Sequence, residues 1–92
     1  MLRTIVLDAR LQQKWTLQGR LCGVWAADLR RRWEQARPTR AGRVCVVDLE
    51  DVISVDAEGE NVLRRMAAEG ARMLARRAYM KSILSALKRE LK

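Results

Sequence analysis

The residue types that carry most enzyme chemistry are sparse in this sequence. Its 92 residues contain no histidine and only two cysteines, Cys22 and Cys45, which are far apart in the chain. There is no glycine-rich phosphate loop, no metal-ligand spacing, and no serine or cysteine beside a candidate base. The sequence therefore predicts a protein that is not an enzyme and has no catalytic, cofactor-binding or metal-binding residues.

One cluster of charged side chains stands out against this background. Six of the eleven acidic residues lie between positions 43 and 61, although the chain as a whole has a net charge of +8. They are Asp48, Glu50, Asp51, Asp56, Glu58 and Glu60. Their carboxylates offer enough oxygens for a divalent cation, but their spacing resembles no calcium-binding loop. We interpret them as solvated charges at a strand end and a helix start, because acidic groups near a helix N-terminus are favourable.

The acidic cluster lies where the hydrophobic pattern changes its period. Val44 to Leu49 is a β-branched apolar run, typical of a strand that is buried on both faces. Residues 62–67 instead carry apolar side chains at helical spacing. The chain should therefore run from strand to helix through a loop at Asp56 to Gly59. Such loops carry function more often than the core does.

The rest of the chain predicts the elements that must position this loop. Trp25 and Trp33 share an apolar helical stripe, which indicates that both pack against a sheet. Gly19 interrupts an alternating strand and suggests a bulge or a close backbone approach. The expected fold is α/β, a mixed sheet of about four strands in the order β-β-α-β-α-β-α, with the helices packed on it. The flanking elements are strands over Leu2–Asp8, Trp15–Leu21 and Ala71–Arg76, and helices over Val24–Ala36 and Ala78–Leu91.

The stretch from Val44 to Met66 resembles the signature of the STAS domain, the module of bacterial anti-sigma factor antagonists and of the cytoplasmic parts of sulfate transporters. That signature is an apolar strand ending in Asp-Leu, alternate apolar positions, and Asp-Ser-Ser-Gly or Asp-Ser-Ala-Gly opening a helix. Leu17 to Leu21 resembles a second family strand, although Cys22 stands where Asp usually follows. The resemblance implies a single STAS-like domain over residues 1–92. The matching residues are Val46, Val47, Asp48, Leu49, Val52, Val55, Asp56, Gly59 and Leu63.

The resemblance also implies a function. In anti-sigma factor antagonists, this loop and the following helix dock on an anti-sigma kinase, and phosphorylation of a Ser or Thr before the Gly blocks docking. Glu58 occupies that position here, with one permanent negative charge where a phosphoserine carries about −1.5 to −2. The chain then either binds its partner without phospho-regulation or imitates the modified state. The expected partner-binding residues are Asp56, Ala57, Glu58, Gly59, Glu60, Asn61 and Arg64.

Other functions stay open on the sequence alone. A STAS subunit of a bacterial lipid transporter would have an ABC ATPase as its partner. A basic nucleic-acid-binding protein is the other alternative, although the arginines spread over several elements and form no known nucleic-acid motif. With no apolar stretch of about 20 residues and no signal-peptide block, we expect a cytoplasmic protein. The STAS resemblance further implies a bacterial regulator of transcription that is a monomer or weak dimer. The arginines concerned are Arg30, Arg31, Arg32, Arg37, Arg40, Arg72, Arg76 and Arg77.

Overall fold

The computed structural model describes residues 1–75 and 77–90 of the chain. Over these ranges the chain forms the predicted order of strands and helices, with one short helix added. The elements are β1 (Leu2–Asp8), β2 (Gln12–Leu21), α1 (Gly23–Gln35), α2 (Arg37–Arg40), β3 (Val44–Val55), α3 (Ala57–Ala68), β4 (Arg72–Leu74) and α4 (Ala78–Glu90). Arg76 and Leu91, the last residues of the predicted C-terminal strand and helix, lie outside the described residues.

The four strands of the described ranges form one mixed sheet in the order β1-β2-β3-β4. β1 is antiparallel to β2, whereas β2, β3 and β4 run parallel. The added helix α2 falls where the sequence predicts a linker, because Pro38 is accommodated in a first helical turn, where its missing N–H costs nothing. The fold class is therefore the mixed α/β class that the sequence predicts.

The prediction that β3 is buried on both faces is wrong. Cys45, Val47 and Leu49 are buried, but Val44 is exposed and Val46 is only half-buried. The helices α1, α3 and α4 contribute their buried side chains to the core on one face of the sheet. Valines also occupy the opposite face of β3, so its sequence does not show which positions alternate between buried and exposed.

The core is built from the inner face of the sheet and the apolar stripes of the helices. Trp15 of β2 meets Trp33 of α1 edge to face, with ring centroids 5.4 Å apart. Leu29, Leu63 and Met80 add one fully buried side chain each from α1, α3 and α4. In the described part of the chain, no helix is long and apolar enough to cross a membrane.

The ladder between β2 and β3 determines how these strands end. Their register begins at Gln12 opposite Val44 and ends at Leu21 opposite Val55. Two register shifts flank Gly19, so the longer β3 spans the same distance as β2. Gly19 has φ +108°, and a Cβ there would collide with the carbonyl of Met1, which confirms the predicted close approach. Both strands therefore stop side by side, and the residues that follow them are neighbours.

Candidate functional site

Asp56 joins the beginnings of the two helices that follow β2 and β3. Its Oδ1 accepts a hydrogen bond from the backbone N–H of Gly59 at 2.8 Å, which caps α3. Its Oδ2 accepts from the backbone N–H of Gly23 at 2.8 Å, the first residue of α1. Cys22, the N-cap residue of α1, makes no side-chain cap of its own. One carboxylate thus satisfies free donors at two helix N-termini.

The electrostatics of Asp56 follow from these contacts. Hydrogen bonds from the backbone N–H groups of Gly59 and Gly23 lower the pKa of its carboxyl below the usual value. The partial positive charge of each helix N-terminus acts in the same direction. Asp56 therefore stays ionised in the folded protein well below neutral pH.

Gly59 is required by packing rather than by its backbone conformation. It lies in the first turn of α3 and is buried against the end of β2. A Cβ on Gly59 would fall inside contact distance of the Leu21 carbonyl oxygen and 2.8 Å from Cγ1 of Val55. Only a glycine lets α3 begin this close to the two strand ends.

Ala57 and Glu58 lie between Asp56 and Gly59 in the chain but take no part in this packing. Both side chains are exposed. The sequence predicts a loop at Asp56 to Gly59, but α3 begins at Ala57, so only Asp56 lies outside the helix. The reason is that Asp56 caps α3 directly after β3, which leaves no room for a loop. Glu58, at the position implied to carry the phosphorylated group, is thus presented on the first turn of a helix.

The last three predicted residues follow along α3. Glu60 is half-buried, and its backbone N–H donates to the Asp56 carbonyl at 2.9 Å. Asn61 accepts a hydrogen bond from Nη1 of Arg64 at 2.6 Å, one helical turn apart. Asn61 and Arg64 line the same groove as Glu58, whereas Glu60 contributes its backbone to the helix start.

That groove runs between α1 and α3 and has a volume of about 660 Å³. Arg30 of α1 and Arg65 of α3 both line it, and both contact Oε1 of Glu34, at 3.4 Å and 2.8 Å. These pairs are exposed and contribute little to stability, but they hold charged groups in place along the groove. The groove therefore presents positive and negative groups together, on an open surface formed by two helices.

The acidic cluster noted in the sequence does not converge. Asp48 pairs with Lys14 at 3.7 Å and accepts from the backbone N–H of Glu50 at 2.9 Å. Asp51 accepts from the amide of Gln18, and Asp56 is held at the helix starts. Among the side chains that the structure describes, no three acidic, cysteine or histidine residues form a group that could hold a metal ion. The interpretation as separate charges therefore fits the geometry of this part of the chain.

Sequence reasoning missed two residues at the start of α1. Val24 is 76% exposed and Trp25 is 40% exposed, although Trp25 is predicted to pack on the sheet. Ala26, Leu29 and Trp33 form the buried stripe, and Trp25 lies at its border, about 100° around the helix from Ala26. The Gly23–Asp56 bond places these apolar side chains at the same end of the molecule as Ala57 and Glu58. A helical wheel alone does not separate a border position from a central one.

With this geometry established, comparison with solved structures decides the fold. The chain matches the anti-sigma factor antagonist SpoIIAA in its unphosphorylated form with a TM-score of 0.69, over 90% of this chain and 82% of that one. The two sequences are 19% identical. The chain has the STAS fold. A structure of Mglu also matches, with a TM-score of 0.60 and 22% identity over 79% of this chain and 19% of that one. By sequence, no family model and no curated protein matches.

Within the STAS fold, the predicted partner-binding residues fall into two groups. Asp56, Gly59 and the backbone of Glu60 hold the starts of α1 and α3 to the strand ends. The side chains of Ala57, Glu58, Asn61 and Arg64 lie at the first turn of α3 or along the groove. A partner that approaches this end of the molecule meets the second group.

Proposed function

We propose that this STAS-fold chain is a non-catalytic protein-interaction module, an anti-sigma factor antagonist-like regulator that docks on an anti-sigma kinase. The observation that carries the proposal is the exposed pair Ala57 and Glu58 at the start of α3, between the hydrogen-bonded Asp56 and Gly59, in a fold shared with an anti-sigma factor antagonist. In open α/β sheets, binding sites form beyond the carboxyl ends of parallel strands, which is where this pair lies. Asp56 and Gly59 act as positioning residues.

The composition of the surface suits a protein partner. Trp25 and Val24 supply exposed apolar area at the same end of the molecule as the first turn of α3, and tryptophan is among the residues that dominate binding energy at interfaces. Asn61 and Arg64 continue the surface along the groove with polar groups. An apolar centre with a polar margin is the usual anatomy of a protein interface. We therefore extend the proposed docking surface from α3 to the first turn of α1.

The arginine-rich helices support a protein partner over nucleic acid. Asp28 pairs with both Arg31 and Arg32, and Glu69 pairs with both Arg37 and Arg40. The guanidinium of Arg40 also lies 3.7 Å from the centroid of the Trp33 ring. These arginines are engaged with groups of this chain, so they do not form one continuous stripe of unpaired positive charge of the kind that follows a phosphate backbone.

The test is a pull-down from nuclease-treated lysate of the source organism with wild type, Glu58→Arg and Asp51→Arg. The last two variants change the charge equally, but Asp51 lies on β3 opposite Gln18, away from α1 and α3. We expect wild type and Asp51→Arg to retain an ATPase-fold kinase, identified by mass spectrometry, and Glu58→Arg to lose it. Retention that is independent of Glu58 contradicts the proposal, as does recovery of nucleic acid alone when nuclease is omitted.

The role of Glu58 is tested by giving the position a hydroxyl. We propose that Glu58 removes phospho-regulation, so the wild type binds constitutively. Incubation of the captured kinase with ATP should then phosphorylate Glu58→Ser but leave wild type and Glu58→Ala unmodified at this turn. Phosphorylated Glu58→Ser should dissociate from the kinase, because the added phosphate changes the local charge by about −1.5 to −2. If the captured ATPase instead belongs to a lipid transporter, Glu58→Ser stays unmodified and the partner assignment changes.

A further inference from the structure

The hydrogen-bond pattern of β1 defines which of its backbone groups face away from the sheet. Ala9 donates to the Gln12 carbonyl and Arg20 donates to the Met1 carbonyl, and these two contacts continue the β1–β2 register by one pair at each end. In an antiparallel pair, hydrogen-bonded positions alternate along the strand. The odd-numbered residues of β1 therefore bond to β2, and the even-numbered residues direct their N–H and C=O groups outward. These are Leu2, Thr4, Val6 and Asp8.

The two edges of the sheet differ in how they are protected. At one edge, β4 has three residues, and short edge strands resist pairing with other chains. At the other edge, β1 has seven residues and contains no proline or lysine. Val6 and Leu7 of this strand are 40% and 61% exposed, so packing in the core does not account for apolar residues at these positions. β1 thus has the length and the apolar character of a strand that pairs with another strand.

The geometry points to a second copy of this chain as the occupant of the β1 edge. An antiparallel pair of β1 strands, related by a two-fold axis through Ile5, brings Leu2 opposite Asp8 and Thr4 opposite Val6 of the second copy. Every outward N–H and C=O of the strand then finds a partner. The resulting sheet is continuous through both copies, with the helices of both on the same face.

Symmetry and the number of paired residues select this register. A two-fold axis that joins two antiparallel edge strands stands perpendicular to the sheet, so paired residues must come from the same face. Pairing centred on Ile5 obeys this rule and uses all four outward residues, whereas a shift by one pair leaves one unpaired. Arg3 then lies opposite Leu7 of the second copy. The strand is therefore self-complementary in its hydrogen bonds.

This interface does not depend on the proposed function. β1 lies at the edge of the sheet, whereas the docking surface is formed by α1 and α3 on its helical face. Both surfaces are accessible at once, so a dimer would present two docking surfaces to its partners.

The first test measures mass by light scattering over a range of concentrations. We expect wild type to reach twice the 10.6 kDa of one chain at high concentration. Val6→Lys should stay at 10.6 kDa, because an inward lysine prevents edge pairing. Leu11→Lys is the matched control: Leu11 is 69% exposed but lies outside β1, so this variant should dimerise like wild type. A wild type that is monomeric throughout, or a Val6→Lys dimer, overturns the proposal.

The second test examines the register by disulfide formation. Ile5→Cys, in a Cys22→Ser background, should cross-link to its own copy under mild oxidation. Opposed residues of a non-hydrogen-bonded pair have Cα atoms about 4.5 Å apart, within the range a disulfide spans. Arg3→Cys should give about tenfold less product, since Leu7 stands opposite it. Equal cross-linking of both variants, or none with Ile5→Cys, overturns the assigned register and interface.

Discussion

Two pairs of residues in the segment 56–59 differ in what they contact, and the difference separates folding from recognition. Asp56 and Gly59 face inward: one carboxylate holds two helix starts, and the absent side chain lets α3 approach Leu21. Ala57 and Glu58 face solvent at the same turn. A four-residue segment therefore combines two positions that fix the fold with two exposed positions that belong to the proposed docking surface. Substitutions in the two pairs should have opposite consequences.

The largest effect on stability is expected for Gly59→Ala. A Cβ there must displace the Leu21 carbonyl or Val55, so the free energy of unfolding should fall by about 2 kcal/mol despite alanine's better helix propensity. Urea denaturation followed by circular dichroism measures the change. Gly70→Ala is the control for glycine loss without crowding: it has φ +99° and open space around it, so about 1 kcal/mol is expected. Equal losses of unfolding free energy in the two variants would show that the structure around residue 59 relaxes to accommodate the added Cβ.

A smaller loss is expected for Asp56→Ala. This change leaves the N–H groups of Gly23 and Gly59 without their carboxylate acceptor, so both α1 and α3 lose a cap. Hydrogen exchange should show faster opening of the first turns of both helices, measured at the amides of residues 23–26 and 57–60. If only α3 is affected, the bond to Gly23 does not stabilise α1.

The stability contributed by Asp56 should depend on pH. Its pKa in the folded protein is lowered by the backbone hydrogen bonds of Gly59 and Gly23, so its contribution is complete above the unfolded value of about 3.9. It is lost as the pH falls through the lower folded value. Wild type should therefore lose stability in acid more steeply than Asp56→Asn, as measured by urea midpoints between pH 6 and 2.5.

The pH dependence of wild-type stability must be compared with that of Asp56→Asn, because Asp28 is a second carboxyl group whose pKa is lowered in the folded protein. Burial raises the pKa of Asp28, but hydrogen bonds and charge interactions from Arg31 and Arg32 outweigh it and lower the value overall. Both proteins retain this contribution, so it cancels in the difference. Parallel curves for wild type and Asp56→Asn would mean that the two helix caps do not favour the charged form.

The smallest stability effect is expected for Glu58→Gln. The side chain is exposed, and losing one negative charge in the first turn of α3 should lower the free energy of unfolding by about 0.3 kcal/mol. Partner binding in the pull-down should nevertheless weaken, because the charge is part of the proposed surface. A large loss of stability with unchanged partner binding would show that Glu58 supports the fold rather than the proposed docking surface.

Much of the architecture could be predicted from the sequence because local patterns carry it. The alternation from Trp15 to Leu21 and the helical spacing after Val62 predict elements that the structure contains. The prediction that β3 is buried on both faces is wrong, because apolar residues on its open face imitate a doubly covered strand. Trp25 is assigned to the core for a similar reason: a border position of a helical stripe looks apolar whether or not a sheet covers it.

By itself, the sequence determined the type and order of all the elements except α2, together with the position of the segment Asp56 to Gly59, since period, caps and breakers act over a few residues. Only the tertiary structure decided that Asp56 also binds the start of α1 and that Gly59 meets Leu21. These contacts join positions more than 30 residues apart, through a register that two shifts in the β2–β3 ladder bring into line. Local pattern contains no record of that alignment, because it arises only when the two strands lie side by side.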